Sequence, residues 1–349
     1  MEVNIAPQKV VEFGGKTYRY FAGTSYLGIS QHPKFRHELQ HAFAVQGTNY
    51  GSSRIGNIGL AVYGKLEKAL AKRFGSEDCV TFSSGFLAGM AASRAVSETY
   101  FPVRGKSHPA LAPVGTEPFE GTYEEWRETY AGKSYTEGKG YAFFSDSYDP
   151  FGLEEYDFGW FAKLTPNSDF FAVIDDSHGI GVYGPRGNGV LHKIPQAENL
   201  RTAIVASLNK ALGVPGGAVL CDKDLAETIR HGDIYRTSSP LSPAYASAYL
   251  ACEDLYPRQR KSLQENVSFF LRQIEGLPHK MVHGMPMIGF DGGIELLEDM
   301  KQRGFLLSCF PYPEPTAQPN VRAVINALHS FGDLTELAKA LKLSLAEKA

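Results

Sequence analysis

The sequence is poor in cysteine. Four thiols, Cys79, Cys221, Cys252 and Cys309, are scattered over 349 residues without metal-binding or redox spacing. That scatter argues against a disulfide framework or a thiolate metal centre, and it fits a reducing, cytoplasmic setting. Long apolar runs are missing as well: no stretch approaches the roughly 20 residues needed to span a bilayer. The opening MEVNIAPQKVVEF lacks the charged-then-apolar layout of a secretion leader. No run of basic residues occurs, and the formal net charge is −3. Neither nucleic acid nor a membrane is therefore expected as a partner.

What is present describes a folded globular chain. Hydrophobic residues make up 43% and charged residues 21%, a balance that separates the chain from disordered sequences. The length fits one large domain plus a smaller one. HPKFRHELQHAFAVQG reads as a helix begun at Pro33 and stopped at Gly47. LAVYGKLEKALAKRFG carries Val62, Leu66, Ala69, Leu70 and Phe74 at helical spacing, with Gly75 as its stop. DCVTFSS then reads as a strand and GFLAGMAASRAV as a helix of small residues. GYAFFSDS, DFFAVIDDS, TAIVASL and GGAVLCD are short apolar runs that end in polar residues. Such runs, separated by helical segments, predict an α/β fold with a mainly parallel central sheet flanked by helices. Residues 100–140 are the least regular and include one short helix. Beyond about 240 a long, broken helical stretch, the strand VRAVIN and a closing helix predict a smaller α+β domain. The expected division is an N-terminal arm and helix over 1–45, a large domain over 46–235 and a small one over 236–349.

In open α/β sheets, ligands sit at the carboxyl ends of the strands. Here those ends are SSGF (83–86), SDS (145–147), DDSH (175–178) and SLNK (207–210). Ser84-Gly85-Phe86 stands between a strand and a helix, where backbone N–H groups bind phosphate and glycine permits close approach. The same pattern also serves as a plain helix cap. Asp175 ends a strand that is otherwise apolar, and a carboxylate there needs a cationic partner. His178 follows three residues later. Lys210 sits at a strand end just before a turn rich in glycine. Partial desolvation there lowers a lysine's pKa and makes it a nucleophile able to form a Schiff base.

Taken in order, YGSSRIGNIGLAVYGKLEKALAKRFG, FSSGF, VIDDSHGIGVYGPRGNGVL, SLNKALGVPGG and SSPLSPA resemble the α-oxoamine synthases. These are fold-type I transferases dependent on pyridoxal 5′-phosphate (PLP), and the resemblance runs from SYLGIS to AVINALHS. It implies that Lys210 holds the cofactor covalently and Asp175 pairs with its pyridine nitrogen. His178 would bond the phenolic oxygen. Ser84, Gly85, Phe86 and Ser207 would serve the phosphate, with Ser239 contributed by a second subunit of a homodimer. By the same resemblance His108 stacks on the ring, Asp146 lies nearby, and Arg322 holds a substrate carboxylate. Arg54 matches an arginine of the glycine-rich segment. The implied reaction joins an amino acid to an acyl-CoA with decarboxylation. An aminotransferase acting on an amino acid and a keto acid needs the same residues. The chain also departs from the family. Thr24 and Gly89 stand where asparagines are usual, and Pro109 replaces a small residue after His108.

Overall fold

A computed structural model describes residues 2–309, 311 and 320–346. The chain divides into two compact units. One comprises Pro33–Tyr148 and Glu155–Glu253; the other comprises Met1–His32, Asp149–Glu154 and Asp254–Ala349. The packing thus groups residues differently from the compositional division: the first long helix and residues 236–253 go with the large unit.

The large unit is built on six strands. In chain order they are β1 (Asp78–Phe82), β2 (Phe101–Arg104), β3 (Gly140–Asp146), β4 (Asp169–Asp175), β5 (Leu200–Ser207) and β6 (Gly217–Cys221). Across the sheet the order is β1-β6-β5-β4-β3-β2. Strands β2, β3, β4 and β5 pair in parallel, while β6 runs antiparallel to both β5 and β1. The mainly parallel sheet expected from the sequence is present, with one reversed member. Phe170 through Ile174 are all buried, as continuous apolar strands covered on both faces require.

Three helices are those the sequence predicts, whereas Lys223–His231 and Asp233–Thr237 were not expected. α1 (Pro33–Gln46) and α2 (Ala61–Phe74) precede β1, and α3 (Gly85–Ser97) follows it. α2 stops at Gly75, whose φ of 81° is the left-handed conformation that favours glycine. α3 buries Ala88, Ala91 and Ala92 in a cluster with Val80, Phe82, Val205 and Val219 of the sheet. Small side chains on that face let the helix lie close to the strands. α4 (Tyr123–Ala131) is the short helix of the irregular segment. It opens with a capping box in which Thr122 and Glu125 satisfy each other's backbone N–H groups. β2 was not legible in that segment.

The second unit holds a three-stranded sheet of Val10–Phe13, Lys16–Phe21 and Phe305–Leu307, and a pair formed by Met287–Phe290 with Val321–Val324. The helices Leu255–Gln273, Gly293–Gln302 and Phe331–Ala346 complete it. Its core includes a polar knot. His329 Nδ1 accepts the Asn326 N–H at 3.1 Å, and its Nε2 lies 3.0 Å from the Tyr20 carbonyl. Burial lowers its pKa to about 4. This histidine is a neutral packing residue, stacked on Phe21 with ring centroids 4.1 Å apart.

Candidate active site

The parallel register sets two carboxylates side by side. Asp146 ends β3 directly opposite Asp175 at the end of β4. Past those ends each strand breaks into a loop, and the loops are tied together. The Ser147 N–H donates to the Asp175 carbonyl at 2.8 Å, and the Asp176 N–H donates to Val205 O of β5 at 2.8 Å. The Asp175 side chain accepts the Ser177 N–H at 2.8 Å. His178 is half-buried, with its ring edge-on to Tyr148 at 5.8 Å.

Lys210 is half-buried beyond the end of β5. Desolvation draws its pKa below the ordinary lysine value, while the carboxylates of Asp175, Asp146 and Asp176 pull it back up. Desolvation wins, so the amine is a better nucleophile than a surface lysine. His108 is fixed by its neighbours: its backbone N–H donates to Asp146 Oδ1 at 2.8 Å, and its ring Nδ1 accepts the Ala110 N–H at 3.1 Å. Burial lowers the His108 pKa, against Asp175 and assisted by Lys210. Its imidazole is therefore neutral at pH 7. Phe86 stands edge-on to it at 6.3 Å and is 49% exposed.

The β1–α3 turn is packed against the ends of β5 and β6. A Cβ on Gly217 would lie 2.3 Å from the Ser84 carbonyl oxygen, and one on Gly85 would lie 2.8 Å from Ser207 Cβ. Only glycine allows these approaches. The Ser84 hydroxyl caps its own helix, accepting the Leu87 N–H at 3.2 Å. An incoming anion is left with the N–H groups of the first turn at Gly85 and Phe86, which have no intrahelical acceptor at any helix start. Ser239 is exposed on the same unit.

Several residues serve roles that sequence reading did not separate. Arg54 forms a buried bidentate pair with Glu67 at 3.0 and 3.1 Å and lies 4.5 Å over the Tyr63 ring. Glu67 also accepts from the N–H and hydroxyl of Thr81 on β1. Arg54 therefore fastens the glycine-rich segment to the sheet. Asp176 is fully buried and accepts the Val190 N–H at 2.7 Å. A Cβ on Gly189 would lie 1.8 Å from its Oδ2, and Gly189 has a φ of +68°. The doublet Asp175-Asp176 thus divides its labour: one carboxylate at the strand end, one holding the loop that follows. In the second unit, Arg322 is 6% exposed and donates to the Pro150 carbonyl, with its guanidinium 4.8 Å over Phe151. The Thr24 carbonyl accepts the Tyr26 N–H at 2.9 Å.

The large unit brings together Ser84, Gly85, Phe86, His108, Asp146, Asp175, His178, Ser207 and Lys210 at the strand ends. This donor set matches PLP group by group: an amine for the aldehyde, a carboxylate for the ring nitrogen, imidazoles for ring face and phenolic oxygen, and a glycine-lined helix start for phosphate. The residues fit the group.

Comparison with known proteins gives the same answer. No protein-family model matches the chain. An 8-amino-7-oxononanoate synthase of Maricaulis maris (strain MCS10) is 29% identical over 97% of this chain and 90% of its own length. Another, from Marinomonas sp. (strain MWYL1), is 26% identical over 95% of this chain and 87% of its own length. Over nearly its whole length the chain is thus similar to 8-amino-7-oxononanoate synthases. Two solved structures share its fold-type I architecture. One is an SPT structure with PLP, with a TM-score of 0.83 and 16% identity over 98% of this chain and 91% of that one. The other is the 8-amino-7-oxononanoate synthase of Francisella tularensis, with a TM-score of 0.73 and 20% identity over 95% and 98%.

The departure at Gly89 from the α-oxoamine synthase pattern has a local cause. A Cβ there would lie 2.7 Å from Ala110 Cβ and 3.0 Å from its carbonyl oxygen. The turn at Pro109–Leu111 occupies the space that a larger residue on α3 would need.

Proposed function

We propose that this chain is a PLP-dependent acyltransferase that condenses an amino acid with an acyl-CoA thioester and releases carbon dioxide. The observation that carries the reading is Lys210, a half-buried amine whose pKa is lowered by desolvation, beyond a sheet edge that ends in the paired carboxylates Asp146 and Asp175. When bound, PLP supplies an electron sink for negative charge at the amino acid's α-carbon.

The chain's residues supply the rest. Lys210 is the nucleophile that holds the cofactor and, once displaced, the base for the α-proton. Asp175, oriented by the Ser177 N–H, keeps the ring nitrogen protonated. His108, neutral and anchored on Asp146, offers its ring face. His178 serves the phenolic oxygen. Ser207 and the first turn of α3 take the phosphate. The role of Arg322 toward a substrate carboxylate rests on the family resemblance, and Thr24 takes the place of the asparagine that the resembled family uses beside it. The homodimer, in which Ser239 of each copy would complete the site of the other, rests on that resemblance too.

The test is a screen of the purified protein with PLP, amino acids and acyl-CoAs of graded chain length. Release of free CoA thiol dependent on one amino acid is expected. Keto-acid-dependent transfer of the amino group, with no thiol released for any pair, would replace this reading with an aminotransferase.

A further inference from the structure

Ser177 lies between Asp175 and His178 and is 6% exposed. It makes two bonds that face different strands. Its backbone N–H donates to Asp175 Oδ1 at 2.8 Å. Its hydroxyl oxygen accepts the backbone N–H of Ser207, thirty residues on, at 2.8 Å. The ladder between β4 and β5 explains why a side chain is needed. Its last registered pair is Asp175 with Val205. The chain then turns away, with the Gly179 and Ile180 N–H groups both donating to the Asp176 carbonyl. The backbone of β4 no longer continues opposite Ser207, and the Ser177 hydroxyl stands in for the missing carbonyl. On another side Ser207 is bounded by Gly85, where even a Cβ would come within 2.8 Å.

We propose that Ser177 is a positioning residue that couples the carboxylate at the cofactor's ring nitrogen to the strand end carrying Ser207 and Lys210. The inference rests on the PLP site assigned above. A rigid ligand held at one edge by Asp175 and at its phosphate by Ser207 needs the two ends at a fixed separation. Ser177 is bonded to both. Loss of its hydroxyl leaves the Ser207 N–H without its acceptor and loosens the tie between the two strand ends beyond the Asp176–Val205 bond. Affinity for PLP then falls by what that one hydrogen bond contributes, up to about tenfold.

The experiment is a titration of the cofactor-free full chain with PLP, followed by visible absorbance, for the wild type and for Ser177→Ala, Ser177→Thr and Ser177→Cys. Ser177→Ala is expected to bind about tenfold more weakly. It should also shift the pH midpoint of the bound cofactor's absorbance change, and Ser177→Thr, which keeps the hydroxyl, should restore both. A Ser177→Ala protein equal to wild type in affinity and pH midpoint would overturn the inference while leaving the PLP site standing. A wild type that binds no PLP would overturn the site itself. If Ser177→Ala fails to fold, Ser177→Cys carries the test, because a thiol of similar size is a poor acceptor. Wild-type affinity in that variant would equally overturn the proposal.

Discussion

Adjacent residues of one type do different work here. Asp175 and Asp176 differ by one position, and strand alternation sends their side chains to different surroundings. Burial raises the Asp176 pKa to about 7, against the bonds it accepts from Ser147, Val190 and Gly179. A carboxyl with a raised folded pKa stabilises the protein most at low pH, where it is protonated in both states. That contribution is lost as pH rises from the unfolded value near 4 through about 7. The full swing is on the order of 4 kcal/mol. Denaturant midpoints measured from pH 4 to 8 should show wild-type stability falling relative to Asp176→Asn across that window. Parallel profiles would contradict it. The sequence shows two aspartates. Only the contacts of Asp176 with the 179–190 loop show which of them is structural. Ser177 was passed over for the same reason: its partner is thirty residues away.

Helices and strands were more legible than their contacts. The stops at Gly47 and Gly75, the apolar runs of β3, β4 and β5, and α3 could all be read from periodicity and turn residues. The reversal of β6 could not, because a strand buried on both faces reads the same in either direction. β2 was hidden because it is four residues long and contains proline. Glycines separate by what surrounds them. Gly217 faces the Ser84 and Gly85 backbone within 2.6 Å of any added Cβ, whereas Gly64 in α2 has nothing within 4 Å. Gly217→Ala should therefore destabilise by about 1–3 kcal/mol through overpacking and weaken PLP binding with it. Gly64→Ala should stabilise by up to about 1 kcal/mol through helix propensity. Thermal unfolding of the pair checks both signs. Equal effects would mean that the turn at Ser84 yields more readily than its backbone contacts imply.

At the scale of the whole chain, the fold and the grouping of the candidate site residues were legible because chemistry concentrates at strand ends, where short motifs keep their order. The division into units was not. Residues 149–154 belong with a unit otherwise built from the two chain ends, and no composition shift marks so short a segment. Among the described residues no helix is long and apolar enough to cross a membrane. The central claim concerns one bond, that between Lys210 and PLP. It is tested most directly by adding PLP to wild type and to Lys210→Ala, reducing with borohydride, and measuring cofactor covalently attached to protein by mass. The account predicts one pyridoxyl group on wild type, located at Lys210, and none on the variant. Attachment to the variant at wild-type level, or to another lysine in the wild type, would contradict it.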